Sequence, residues 1–251
     1  MISIAHIEQY DFCPKQAENS MNNLPDVFAL SDDLEDGSEA HKQRAKKFIS
    51  QSFKATIKNQ EGKERQPPKV KVKEAILWSI KNNSSRAFVE VYVESQKYGI
   101  IGYCDEVKIA KGEVSIIEYK TSWNWKKTNC SSPPICQAKA YARSFKEYYN
   151  YDKPIKIFIK RVFLKINKHM AMPEQEPEKP ALMFEDRNFI NGGWWEGIIE
   201  KIYEEYFNPE DFDYVKSIIY NIRRKDFKHS SSLGRCRSCQ YRLSCDDALK
   251  S

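Results

Sequence analysis

Asp105, Glu118 and Lys120, in the segments GYCDEV and IIEYKTS, are the residues of this chain whose types and spacing can do chemistry together. Alternate side chains of a strand share a face, so Glu118 and Lys120 point the same way. A two-residue turn at Lys111-Gly112 between the segments sets a register that places Asp105 directly opposite Glu118. Their Cβ atoms would then lie roughly 4.5–5.5 Å apart. Carboxylates that close repel unless a cation sits between them, and a hard divalent ion bound through oxygen answers that need. Lys120 adds the positive charge that phosphodiester hydrolysis uses to orient water and offset charge on the phosphorane. A Glu-x-Lys triplet alone carries little, because Glu61-Gly62-Lys63 repeats it in a polar loop. The second instance stands apart by ending an apolar strand with an aspartate across from it.

Two helical pairs extend this centre. Gly37 and His41 lie four apart on one helix face, which makes His41 a candidate metal ligand beside its commoner role as a surface or packing residue. Gln137 and Tyr141, also four apart, follow the Glu-x-Lys strand. Their amide and phenol suit a phosphate or a metal-bound water, although QAKAYAR equally suits packing on a sheet.

The chain has seven cysteines, at 13, 104, 130, 136, 236, 239 and 245. Cys236-x-x-Cys239-x5-Cys245 places three thiols close together, and Cys13, followed by Pro14, is the best candidate for a fourth. Cys104 is expected in the core, facing away from Asp105, and Cys130 and Cys136 fit a shared site less well. The start of the chain has no signal-peptide pattern and no run is apolar enough to span a membrane, so a cytoplasmic setting is expected. There, clustered cysteines act as ligands more often than as disulfides. A tetrathiolate holds zinc or an iron–sulfur cluster. One C-x-x-C pair, rather than the two of a zinc ribbon, leans towards the cluster.

These residues need elements to place them. The periodicity predicts a helix over 3–18, a longer one over Ser31–Phe53, and strands at Ala87–Glu94, Gly99–Ile109 and Glu113–Lys120. A helix over Ile135–Asn150, a strand over Ile155–Ile166, and helices near Trp194–Phe207 and Pro209–Arg224 follow. Helices flanking a small sheet make an α/β or α+β domain. With 251 residues the chain can bury one full core. A net charge of +6 suits a polyanionic partner and equally an ordinary solvated surface. Trp123–Lys127 can stack on single-stranded bases and reach phosphates, or anchor its own loop.

In order, Tyr10-x-x-Cys13-Pro14, Gly37-x-x-x-His41, Gly102-x-x-Asp105, Glu118-x-Lys120-Thr121, Gln137-x-x-x-Tyr141 and the cysteine triplet resemble the RecB-like PD-(D/E)XK nucleases that carry a cysteine-ligated iron–sulfur cluster. Among these, a chain of this length without a P-loop is most similar to the CRISPR-associated Cas-four exonuclease family. The resemblance implies one restriction-endonuclease-like domain over residues 1–251, a mixed sheet flanked by helices. Residues 1–30 and 226–251 would together form the cluster module. It implies Mg²⁺ or Mn²⁺ on His41, Asp105, Glu118 and the Tyr119 carbonyl, with Lys120 catalytic and Gln137 and Tyr141 lining the site. Cys13, Cys236, Cys239 and Cys245 would hold a 4Fe–4S cluster. The implied substrate is DNA, single-stranded or with single-stranded overhangs, trimmed for spacer acquisition alongside CRISPR integrase subunits. A viral or DNA-repair nuclease, a non-catalytic nucleic-acid-binding subunit and a zinc-bearing transcription-type factor are the competing readings.

Overall fold

The computed structural model describes residues 1–23, 57–58, 64–65, 72–122, 132–165, 187–192, 195–229, 233–237, 239 and 241–248. The expected helix over Ser31–Phe53 with Gly37 and His41, the Trp123–Lys127 segment and Cys130 lie outside these residues.

The chain opens with a two-residue strand, β1 (Ile2–Ser3), and α1 (Ile4–Phe12), capped by the Ser3 side chain. The single helix expected over 3–18 is in fact two, because α2 (Pro14–Met21) starts anew after Cys13. Pro14 has no N–H to continue the ladder and disfavours a helical residue before it. Cys13 is accordingly extended, with φ −163° and ψ 121°. Short strands β2 (Ile57–Lys58) and β3 (Glu64–Arg65) pair within the polar stretch, and α3 (Val72–Lys81) follows.

The sheet is built from β4 (Arg86–Ser95), β5 (Ile100–Ala110), β6 (Glu113–Ser122), β7 (Ile155–Lys165), β8 (Arg187–Gly192) and β9 (Trp195–Tyr206). Its order is β1-β5-β6-β7-β9-β8, with β4 also on β5. Helix α4 (Ser132–Tyr148) connects the parallel neighbours β6 and β7, as a parallel pair requires. It begins three residues earlier than expected, and the proline pair in its first turn donates no hydrogen bond the helix would need. After a 3₁₀ turn at Pro209–Phe212, α5 (Asp213–Arg223) buries Val215, Ile218, Ile219 and Ile222 along one stripe, and α6 (Leu233–Arg237) precedes the last cysteines.

The stretch expected as a helix near Trp194–Phe207 is strand β9. Its sequence, WEGIIEKIYEEY, suits either period, but Gly197 weakens a helix and two open strand edges are waiting. β9 pairs antiparallel with β7 on one side and β8 on the other. Sheet pairing outweighs local preference here.

The β5–β6 hairpin turns at Lys111 (φ 51°) and Gly112 (φ 80°), the left-handed pair that a two-residue type I′ turn demands. The register is the one the turn implies, running from Ala110↔Glu113 to Glu106↔Ile117. There the backbone ladder stops. On the same edge of β5, Ile100 and Ile101 pair instead with β1, because β4 occupies the other edge. The two strands therefore splay apart over residues 102–105, and α1 springs directly from β1 beside this opening. Core side chains from α1, α4, α5 and the sheet, among them Ile4, Phe145, Ile157 and Ile219, form one buried cluster.

Candidate active site

Asp105 and Glu118 sit where β5 and β6 part. In place of ladder bonds, Asp105 N–H donates to Glu118 Oε1 at 3.3 Å, and Tyr119 N–H donates to Asp105 Oδ2 at 2.7 Å. The expected opposition of the two carboxylates is thus met by side chains bridging a gap, not by a continuous sheet. Glu118 is 2% exposed. Burial pushes its carboxyl well above the usual range, and the charge of Asp105 pushes it further, against the pull of Lys120.

β5 changes phase at this point. Ile100 and Cys104 are buried, and so are Val107 and Ile109, so the alternation slips between Cys104 and Asp105. Neither partner strand pairs with Asp105 in the ladder, and Glu90 opposite it on β4 has φ 52°. An irregularity of this kind re-aims a side chain. Cys104 is a core residue as expected, but strict alternation placed it facing away from Asp105, and the slip removes that separation. Its thiol is pushed up by burial, then by the charges of Glu118 and Asp105.

Lys120 is clasped between two helices. Its Nζ donates to Gln137 Oε1 of α4 at 2.5 Å and to Glu8 Oε2 of α1 at 2.8 Å. Burial opposes its charge, but the carboxylates of Glu8, Glu118 and Asp105 together raise its pKa. Gln137 is buried and its carbonyl oxygen is committed to this lysine. Tyr141, one turn on, is also buried, and its hydroxyl is pushed well up by burial and then by Glu118. A Cβ on Gly102 would stand 2.8 Å from Tyr141 Cε1, so glycine is what lets α4 lie this close to β5. Tyr119 turns the other way and donates its hydroxyl to Glu106 Oε2 at 2.7 Å.

Glu8 was missed in the sequence, although a signal is present. Ile4 and Ile7 mark the buried stripe of α1, and Glu8 and Asp11 continue it at helical spacing. Two acids on an otherwise apolar stripe ask for buried partners. Glu8 has Lys120, and Asp11 accepts from Tyr214 Oη at 2.5 Å and from Cys136 Sγ at 3.6 Å.

The other chemistry lies at the end of α1. Cys13, Cys236, Cys239 and Cys245 line one cavity. Cys13, Cys236 and Cys239 are buried, and burial raises the Cys239 thiol. The two chain ends are tied there by Arg235 Nη1 donating to Phe12 O at 2.9 Å and by Tyr10 Oη donating to Asp226 O at 2.7 Å. Asn19, 3% exposed, lines the same cavity with its Nδ2 unbonded, as does Gln16 with its Oε1. His229 Nε2 lies 3.3 Å from Cys236 Sγ. Among the described residues, no three His, Cys, Asp or Glu side chains form a group able to hold a single metal ion. No helix among them is long and apolar enough to cross a membrane.

The family model of the PD-(D/E)XK nuclease superfamily matches residues 2–246. No curated protein sequence matches the chain. Among solved structures, the crystal structure of SSO0001 is similar at TM-score 0.43 and 14% identity, over 99% of this chain and 87% of that one.

Proposed function

The chain belongs to the PD-(D/E)XK nuclease superfamily, whose members are typically metal-dependent nucleases, and from that premise we propose that it is a divalent-metal-dependent deoxyribonuclease with its centre at Asp105, Glu118 and Lys120. The observation that supports this most is the splayed β5–β6 junction. It buries one carboxyl beside another and sets a lysine, pinned by two helices, next to both.

The acidic pair fits a hard cation. Glu118 carries a desolvated carboxyl that is costly to ionise alone, and Asp105 makes it costlier. Mg²⁺ or Mn²⁺ bound there supplies Lewis acidity and an acidified water. Asp105 and Glu118 would hold it, with His41 and the Tyr119 carbonyl completing the set that the resemblance implies. Lys120 keeps its ammonium beside the reacting phosphate and steadies the charge that develops. Gln137 fixes that ammonium through its carbonyl oxygen, and Tyr141 closes the wall of the site.

The four cysteines fit a sulfur-rich group. An unbonded, buried amide on Asn19, which lines the thiol-bearing cavity, calls for an acceptor, and the sulfurs of an iron–sulfur cluster would provide one. A zinc ion draws its sulfurs to ~2.3 Å from itself, whereas a cluster spaces them more widely. We assign the cavity to a 4Fe–4S cluster that staples the chain ends and takes no part in hydrolysis. Action on single-stranded DNA ends, and trimming for spacer acquisition beside integrase subunits, rest on the resemblance in motif order.

The deciding experiment incubates labelled single-stranded and duplex DNA with the protein, with and without Mn²⁺. Cleavage that needs the metal and favours single-stranded ends is expected. Salt-sensitive binding with no cleavage under any metal would leave a non-catalytic binding subunit instead.

Glu118 also sets a pH dependence. Its raised carboxyl stays protonated in the metal-free fold where the unfolded chain has already released its proton. That contribution is full below the ordinary glutamate range and is lost as pH rises through the raised value, at up to ~1.4 kcal/mol per pH unit. At Glu118 a bound dication would take the place of that proton. Mn²⁺ is therefore expected to raise Tm more at about pH 8 than at about pH 6, with Glu118→Gln flattening the difference. An equal metal-induced shift in Glu118→Gln would remove Glu118 from the metal set.

A further inference from the structure

We propose that Asn19 donates its side-chain amide N–H to the sulfur-rich group of the cysteine cavity and thereby sets that group's reduction potential. The inference rests on the cavity holding an iron–sulfur cluster, and it goes beyond a staple by giving that cluster a tuned electron affinity.

Asn19 is ill suited to packing alone. It lies on α2, is 3% exposed, and stands three residues after Gln16, so that both face the cavity beside Cys13. Buried helix positions ordinarily take apolar side chains, as the fully buried Ala17 of the same helix does. Asn19 Nδ2 is buried and makes no hydrogen bond, and folded proteins rarely leave a buried donor in that state.

Other polar groups around the cavity already have work. Lys15 pairs with Glu18 at 2.7 Å and with Asp247 at 3.4 Å. Tyr241 N–H donates to Cys239 Sγ at 3.5 Å, and His229 Nε2 stands 3.3 Å from Cys236 Sγ. Gln16 Oε1 is unbonded too, but it is an acceptor, which sulfides and thiolates cannot satisfy. Asn19 thus supplies an uncommitted donor where sulfur is the acceptor on hand.

Hydrogen bonds to the sulfurs help set the potential of an iron–sulfur cluster, along with net charge and solvent exposure. The reduced cluster carries one more negative charge than the oxidised one. A donor therefore stabilises the reduced form more and raises the potential. Cys13, Cys236 and Cys239 are buried, so little water competes for the same sulfurs and the bond keeps its strength.

The test compares the full-length wild type with Asn19→Leu and Asn19→Ser, purified anaerobically and assayed for iron, sulfide and zinc. Leucine matches asparagine closely in size and donates nothing, whereas serine keeps a shorter donor. Each protein is titrated with dithionite in the presence of mediators, and the reduced cluster is followed by EPR. Asn19→Leu is expected to raise the oxidised-to-reduced ratio roughly tenfold at a given potential, a fall of ~59 mV for a one-electron couple. Asn19→Ser should lie between it and wild type. ENDOR of the reduced wild type should show a coupling to an exchangeable proton that D₂O removes and that Asn19→Leu lacks. An iron-loaded Asn19→Leu protein with the wild-type potential and the wild-type set of exchangeable protons would overturn the proposal. If leucine prevents loading, Asn19→Ser decides by the same two readings. A colourless, zinc-loaded wild type would overturn the cluster itself, an outcome distinct from a brown protein whose potential ignores Asn19.

Discussion

Asp105→Ala protein is expected to fold, to bind DNA and to lose metal-dependent cleavage by roughly 10³-fold or more, the scale of losing several kcal/mol of metal-assisted stabilisation. The physical reason lies in how few groups serve the centre. Asp105 joins the splayed strands by accepting from Tyr119 N–H, and in the proposed nuclease it would also be a metal carboxylate, a role an alanine cannot take. Glu118→Ala should act alike, with one difference. It removes a buried carboxyl that burial and Asp105 both penalise, so its metal-free fold should be the less pH-sensitive of the two. Single-turnover cleavage over a Mn²⁺ titration, with circular dichroism to confirm folding, checks both. Near-normal turnover by folded Asp105→Ala protein would remove the centre from this junction.

The second large effect belongs to the cysteines. Anaerobically purified protein is expected to be brown, because iron–thiolate and iron–sulfide charge transfer absorbs in the visible while d¹⁰ zinc does not. Serine at Cys13, Cys236, Cys239 or Cys245 should bleach it and lower the melting point. These residues come from opposite ends of the chain and line one cavity, so a group bound between them would close a very long loop and its binding energy would add to folding. A loss of ~4 kcal/mol would lower Tm by roughly 8–16 °C for a chain of this size. Cys104 serves as an unsuitable control, being buried in the core. Cys136 is buried too, but its thiol lies against the polar side chains of Asp11 and Ser132 and outside the cavity, so a serine there is better tolerated and makes the better control. Cys136→Ser is expected to keep the colour. A colourless protein whose four single variants melt like wild type would leave the nuclease assignment without its cluster.

Much of the centre was legible in the sequence because it is local. The Lys111-Gly112 turn sets the hairpin register down to Glu106↔Ile117, which carries Asp105 and Glu118 to the same end of the hairpin, where side-chain bonds join the parted strands. The period of two on β6 puts Glu118 and Lys120 on one side and turns Tyr119 to Glu106. Helical spacing stacks Gln137 and Tyr141 against the same strands, and Gly102 lets them approach. Each of these follows from turn chemistry or periodicity within a few residues.

Other features depend on partners far away in the chain. WEGIIEKIYEEY reads as a helix until β7 and β8 offer it two edges, and then it is β9. The ladder between β5 and β6 ends at Glu106 because β1 takes over the edge of β5 beyond it, and nothing in the hairpin itself predicts that. Glu8 meets Lys120 across 112 positions of sequence, a pairing no local pattern specifies. Residue types and spacing set which chemistry the chain can perform, since turns and periods act over a few residues. Sheet pairing and helix packing, which weigh all distant contacts at once, decided that the strands part at Asp105 and that α1 delivers its acid there.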